Sequence, residues 1–110
     1  MHRIHVLIEP ERLDPEGLRD MLDSDGCGSV VSFVGLTRGQ DDGVAVERLE
    51  FDAWEERLPT VLAELAEQTV GQFDVVSVVL AHRTGSVGPG EPIVCIHIGS
   101  AHRAEGFEAC

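Results

Sequence analysis

The stretch VVSVVLAHRTGSVGPGEPIVCIHIGSAHR, residues 75–103, places two apolar segments on either side of a turn-rich connection. Val75 to Leu80 is nearly all apolar, which is typical of a strand that is covered on both faces, and Ile93 to Ile98 predicts the next strand. Glycine and proline dominate the residues between them, as in turns. The stretch therefore predicts two successive strands with basic residues near their ends.

The chain before this stretch alternates between strand and helix patterns. Apolar, β-branched segments predict three strands, over Ile4 to Ile8, Ser29 to Val34, and Val46 to Phe51. One helix is expected after the cap Asp14-Pro15. A second helix is predicted to end at Gly71. Its apolar face consists of Leu58, Val61, Leu62, Leu65 and Ala66.

Two shorter segments complete the predicted organisation. Gln40 to Gly43 is polar and glycine-containing, which indicates an exposed loop. At the end of the chain, Ser100 is expected to cap a final helix. The first turn of that helix would hold His102 and Arg103, and Phe107 would lie on its inner side.

Composition limits the possible functions. The 110 residues are 43% hydrophobic, which is enough for one domain with a single core. The net charge of −12 argues against nucleic acid or an anionic membrane as a partner, because both require a broad basic surface. No segment has the length and apolar character of a membrane span. A soluble, cytoplasmic protein is expected, in which any anion site is local.

The cysteines predict neither a disulfide framework nor a zinc site. Cys27, Cys95 and Cys110 are odd in number and lack CxxC spacing, so reduced thiols are expected. Cys95 and His97 share one face of a predicted strand, where they could ligate a metal or form a Cys–His nucleophilic pair. Two ligands without a second pair do not make a metal site, and a buried, hydrogen-bonded histidine is the favoured interpretation.

The arginines are the main chemical signal. All eight basic residues are arginines, whose planar group of donors suits phosphate or carboxylate. Arg38 is predicted at a strand exit, and Arg103 in the first turn of a helix, where a cation opposes the helix dipole unless an anion is bound there. Alternatively, Arg103 pairs with Glu105 or with another of the many carboxylates. The dipeptide His82-Arg83 either serves the same site or ends a strand.

Five blocks in order carry a resemblance to a known family. They are Gly28 to Arg38, Leu49 to Trp54, His82 to Gly85, Gly90-Glu91, and Ser100 to Cys110. Together they resemble the large, catalytic subunit of molybdopterin synthase, the MoaE family. The match spans nearly the whole chain, which we take as one domain over residues 1–110.

The resemblance implies a fold, a reaction and partners. The fold would be α+β of the α/β-hammerhead type, a mixed or antiparallel sheet with packed helices. A homodimer within a heterotetramer would dock a small ubiquitin-like sulfur-carrier subunit (MoaD-like) on each copy. The carrier's thiocarboxylate would give sulfur to cyclic pyranopterin monophosphate in two transfers that form the dithiolene of molybdopterin. This step implies no metal or cofactor.

The resemblance also implies site residues. The pterin phosphate would be held near the dimer interface by Arg38, with Leu36 and Thr37 beside it, and by His102 and Arg103. No catalytic residue can be assigned, because the family continues past the Phe-x-Ala-Cys segment to lysines that this chain lacks. The sequence is therefore expected to be C-terminally truncated relative to the family, or else a natural short form that binds pterin or carrier without turnover. A third hypothesis is an anion-binding regulatory module without sulfur transfer.

Overall fold

The structure is a computed structural model that describes residues 3–38, 40–41, 44–45, 49–51 and 57–110. Within these ranges the chain forms three helices, α1 (Pro15–Asp20), α2 (Leu58–Gln72) and α3 (Arg103–Ala109). The strands are β1 (Arg3–Glu9), β2 (Ser29–Leu36), β3 (Gln40–Asp41), β4 (Val44–Ala45), β5 (Leu49–Phe51), β6 (Ser77–Arg83), β7 (Gly85–Val87) and β8 (Pro92–Ser100).

A mixed sheet of four strands forms the centre of the described part of the chain. Its order is β1-β6-β8-β2, with β1 parallel to β6 and β8 antiparallel to both of its neighbours. The two strands predicted from the apolar stretch are therefore confirmed as the central pair. The first of them begins at Ser77 rather than Val75, because the backbone at Val75 and Val76 bonds to Phe73 and Gly99 outside the strand ladder.

The side chains of β6 alternate between two apolar cores, which explains its nearly uniform apolar sequence. Val79 and Ala81 pack with α1 on one face of the sheet. Val78 and Leu80 pack with α2 on the other face. The α2 helix contributes a buried stripe of Leu62, Ala66 and Val70 to this second core. Both faces of the sheet are thus covered by helices, as the sequence predicts.

Helix α2 does not end at Gly71 as predicted. It continues to Gln72, and the Phe73 N–H donates to the Thr69 carbonyl at 2.8 Å. The backbone of Gly71 remains in the helical range, so the left-handed conformation that lets a glycine end a helix is absent there. Leu65, expected on the apolar face, is 51% exposed.

The final helix forms, but three expectations about it are wrong. Ser100 is the last residue of β8 and fully buried, and its hydroxyl donates to the His102 carbonyl at 2.6 Å instead of capping the helix. His102 is the extended residue before α3, so only Arg103 lies in the first turn. Phe107 is 67% exposed. Gly106 faces the sheet instead, and a Cβ there would lie 3.0 Å from the Val31 side chain.

Short strands replace two predicted irregular segments. Gln40–Asp41, inside the segment expected to be a loop, pairs antiparallel with Val44–Ala45, which follows that segment. Gly85–Val87, expected to be part of a turn, pairs antiparallel with Leu49–Phe51. The predicted strand over residues 46–51 is confirmed at its end, whereas Val46 lies outside the described residues. In the part of the chain that the structure describes, no helix is both long and apolar enough to cross a membrane.

Candidate anion-binding site

Arg38 lies on the segment after β2, which backbone hydrogen bonds fasten to a turn at residues 88–91. Strand β2 ends at Leu36, and the next residue, Thr37, donates its N–H to the Glu91 carbonyl at 3.0 Å. The Thr37 carbonyl accepts from the Gly90 N–H at 2.8 Å. Gly90 has a φ of +79°, a conformation that favours glycine. The predicted position of Arg38 at a strand exit is therefore confirmed.

An ion pair lies beneath this turn. The Glu91 carboxylate accepts from the Gly88 N–H at 2.7 Å and from Arg83 Nη1 at 3.3 Å through the same oxygen. Arg83 ends β6 and is 8% exposed. His82 Nδ1 donates to the Arg83 carbonyl at 2.7 Å. Of the two possibilities left open for His82-Arg83, the structure supports the end of a strand, with Arg83 directed at Glu91.

Leu36, Thr37 and Arg38, the three predicted site residues at the end of β2, differ in exposure. Leu36 is 55% exposed and Arg38 is also exposed, so both side chains are available to a ligand. Thr37 is 3% exposed, and its hydroxyl has no hydrogen-bond partner within the described ranges. Thr37 therefore holds the turn through its backbone, and its assignment to substrate binding stays a prediction.

The second basic group follows β8. His102 and Arg103 are both exposed at the start of α3. The carbonyl of Ser100 just before them accepts from the Gly28 N–H at 2.9 Å. No ion pair joins Arg103 to Glu105 in the described part of the chain, where one Glu105 oxygen is buried without a hydrogen-bond partner. Both side chains are thus accessible to an anion.

A single copy of the chain does not bring the two groups together. In the antiparallel β2–β8 ribbon, Leu36 pairs with Pro92 at one end and Ser29 pairs with Ser100 at the other. Seven residue steps of about 3.3 Å separate these ends by about 23 Å. Arg38 lies beyond the first end, whereas Arg103 lies beyond the second. A phosphate that contacts both arginines therefore requires a second copy of the chain.

An open groove of about 480 Å³ lies beside the end of β2, near the segment that carries Arg38. The exposed apolar side chains of Val34 and Leu36 form one wall, and the loop between β1 and α1 contributes Arg12. The sequence pattern gives no sign of Arg12 at this site, because only the fold brings the loop beside the end of β2. The groove therefore combines apolar surface with one basic and one acidic residue, Arg12 and Asp14.

His97 and Cys95 form a buried, hydrogen-bonded pair, as the favoured interpretation predicts. Ser32 Oγ lies 2.7 Å from His97 Nδ1, and His97 Nε2 donates to the Pro15 carbonyl at 3.0 Å. Cys95 Sγ is 3.2 Å from the same Nε2. Burial lowers the pKa of His97 and raises that of the Cys95 thiol. Neither group is poised as a nucleophile, and the described residues contain no group of three or more residues suited to hold a metal.

Comparison with known proteins places the chain in a family. The model of the family described as MoaE protein matches residues 8–110. The chain belongs to the MoaE family. The molybdopterin synthase catalytic subunit of Thermoplasma volcanium is 32% identical over 110 residues, which cover all of this chain and 80% of that protein.

Solved structures of the family share the fold. The crystal structure of molybdopterin synthase from Staphylococcus aureus superposes with a TM-score of 0.83 at 26% identity, covering 93% of this chain and 74% of that one. A complex of subunits 1 and 2 of the molybdopterin-converting factor from Helicobacter pylori gives a TM-score of 0.73 at 23% identity, covering 94% and 70%. The expected α+β fold, a mixed sheet with packed helices in one domain, is thereby confirmed as that of MoaE proteins.

Proposed function

We propose that this chain acts as the catalytic subunit of a molybdopterin synthase and that Arg38, His102 and Arg103 bind the phosphate of cyclic pyranopterin monophosphate. The observation that carries the proposal is the exposure of all three basic side chains at the motif positions of a MoaE protein. In a chain of net charge −12, Arg38 and Arg103 form no ion pair with a carboxylate among the described residues, which favours a small anion as their partner. The apolar groove beside Leu36 supports a ring-bearing ligand.

The site would be assembled by two copies of the chain. Strand β2 is an edge of the central sheet, and its Phe33 and Leu36 are 50% and 55% exposed. An exposed apolar edge strand is suited to pair with another strand. Antiparallel contact of two β2 strands about a two-fold axis would bring the Arg38 end of one copy to the Arg103 end of its partner. A homodimer would then hold two equivalent phosphate cradles.

The sulfur donor would be a small carrier subunit. A structural relative from Helicobacter pylori is a complex of two subunits, which supports a partner of this kind. In each transfer the thiocarboxylate of the carrier would exchange its sulfur for an oxygen of the pyranopterin, so that a C–S bond replaces a C–O bond on the pterin and the carrier leaves as a carboxylate. Two such transfers would give the dithiolene. The chain would thus act as a sulfurtransferase. It would do so in the cytoplasm, as part of a heterotetramer of two large subunits and two carriers.

A second candidate function is binding without turnover. It is favoured by one observation, the absence of lysine from these 110 residues. A lysine can supply acid–base chemistry near neutral pH when burial lowers its pKa, which arginine cannot do. The proposed site residues would therefore hold the substrate without supplying this chemistry. An assay with pyranopterin and carrier thiocarboxylate separates the two candidates, because only a catalytic subunit forms the dithiolene.

The binding experiment compares Arg103→Ala and Arg38→Ala with the unsubstituted protein. Loss of a charge-assisted hydrogen bond costs about 1.5 to 3 kcal/mol, so the dissociation constant for pyranopterin monophosphate should rise at least about tenfold in each variant. Titration calorimetry measures it directly. Arg57→Ala, at the exposed residue before α2, removes the same charge outside both halves of the site and should leave the affinity unchanged. Unchanged affinity in the two site variants would refute the assignment.

A further inference from the structure

The turn at residues 88–91, which holds the segment that carries Arg38, is closed by both the backbone and the side chain of Glu91. The Glu91 N–H donates to the Gly88 carbonyl at 3.2 Å, while the Glu91 side chain accepts from the Gly88 N–H at 2.7 Å. Residues 88–91 are thus locked by a backbone bond and by a side-chain bond between the same two residues. The Glu91 carbonyl and the Gly90 N–H then hold Thr37. Thr37, the residue before Arg38, is therefore held on both its N–H and its carbonyl by this turn.

Arg83 anchors that carboxylate to the central sheet. Its side chain is 10% exposed and that of Glu91 is 28% exposed, so solvent screens their interaction less than at an open surface. Arg83 is the last residue of β6, which lies between two strands of the sheet. The contact at 3.3 Å therefore links a central strand of the sheet to the turn at residues 88–91.

We infer that Arg83 and Glu91 are positioning residues, which set the place of the Arg38 guanidinium for the pterin phosphate without touching it. The inference rests on the proposed function, since it concerns the same site. Arg38 follows Thr37 directly, so a shift of the turn moves the base of its side chain. A phosphate cradle depends on donors that are held in place before the ligand arrives. The contact between Arg83 and Glu91 would keep the segment that carries Arg38 in place.

A double-mutant cycle tests the inference. Glu91→Gln keeps the shape of the side chain and an oxygen for the Gly88 N–H but removes the charge that faces Arg83. The dissociation constant for pyranopterin monophosphate should rise about threefold to tenfold, whereas in the Arg38→Ala background the same substitution should change it by less than about twofold. Glu67→Gln, on the exposed face of α2, is the matched control and should have no effect in either background.

Two outcomes overturn the inference in distinguishable ways. If Arg38→Ala leaves the affinity unchanged, the proposed function fails and the inference fails with it. If Arg38→Ala weakens binding but Glu91→Gln weakens it equally with or without Arg38, or not at all, the proposed function stands and the positioning role is wrong. Arg83→Lys provides a second route to the same cycle if Glu91→Gln does not fold. It keeps a cation but loses the planar donor group, and should show the same dependence on Arg38.

Discussion

His97 shows how a single buried residue of this chain is kept neutral. Its two ring nitrogens are occupied, one by the Ser32 hydroxyl and the other by the Pro15 carbonyl and the Cys95 sulfur. Burial lowers the pKa of His97; the bond to Pro15 opposes this effect, and the charge of Arg19 adds to it. Protonation of His97 therefore works against the folded state.

This lowered pKa predicts how stability depends on pH. An unfolded histidine titrates near about pH 6.5, so the unfolded chain binds the proton first as the pH falls. The stability that neutral His97 contributes is complete above that pH and is lost as the pH falls through the folded-state value. Urea unfolding at pH 7.5 and pH 5.5 should show a smaller difference in unfolding free energy for His97→Gln than for the unsubstituted protein.

The His97→Gln variant has a defined cost and control. The glutamine amide can still donate to the Pro15 carbonyl, but the Ser32 bond is lost, so the variant should lose about 1 kcal/mol at pH 7.5. His5→Gln, at an exposed position of β1, should retain the full pH dependence. An equal pH dependence in His97→Gln and the unsubstituted protein would mean that other groups determine acid stability.

At the level of elements, the position of Arg103 depends on a close backbone approach. A Cβ on Gly28 would lie 2.5 Å from the Ala101 carbonyl oxygen, a contact that only a shift of the backbone can relieve. Ala101 directly precedes His102 and Arg103. The Gly28 N–H also holds the Ser100 carbonyl. The start of β2 and the end of β8 are thus joined directly before His102 and Arg103, the second half of the proposed site.

Gly28→Ala should therefore weaken binding of the pterin phosphate although Gly28 carries no side chain. We expect the dissociation constant to rise at least about threefold and the unfolding free energy to fall by about 1 to 3 kcal/mol, as for other overpacked sites. Gly71→Ala is the matched control, since a Cβ there meets nothing within 4 Å. It should stabilise α2 by about 0.5 to 1 kcal/mol and leave binding unchanged. A Gly28→Ala protein with normal affinity would show that the site tolerates this shift.

The elements differ in how well the sequence predicts them. Strands β6 and β8 follow from uniform apolar runs, because both faces of each strand are buried. Helix α3 has only seven residues, too few for a periodic pattern to reveal its inner face. Close packing on Val31 selects the small Gly106 for that face and leaves Phe107 exposed. Tertiary packing therefore determines which face of α3 is buried, and the local sequence pattern does not predict it.

The candidate site was predictable by residue type and not by arrangement. Arg38 was correctly placed at a strand exit, since a glycine-containing segment follows an apolar run. The separation of Arg38 from Arg103 follows from the antiparallel register of β2 and β8, which no local pattern encodes. The contact of Arg83 with Glu91 across a turn is equally hidden, because it depends on the fold of residues 88–91.

At the scale of the whole molecule, the proposed phosphate site requires two copies of the chain. The ends of β2 are about 23 Å apart, so no movement of side chains alone unites Arg38 and Arg103 within one chain. The exposed apolar residues of β2 offer a contact surface along the strand that joins these ends. Dimer formation and phosphate binding should therefore depend on the same strand.

Combining two binding-defective variants tests most directly whether two copies of the chain form one phosphate site. Arg38→Ala and Arg103→Ala proteins each lack one half of every site, so each alone should bind pyranopterin monophosphate poorly. When the two are co-expressed, random pairing should give mixed dimers with one intact site, so that about a quarter of all sites regain normal affinity. Calorimetry of the mixture should find this high-affinity fraction. If the mixture binds no better than either variant alone, although mixed dimers are present, a cradle formed between copies is contradicted.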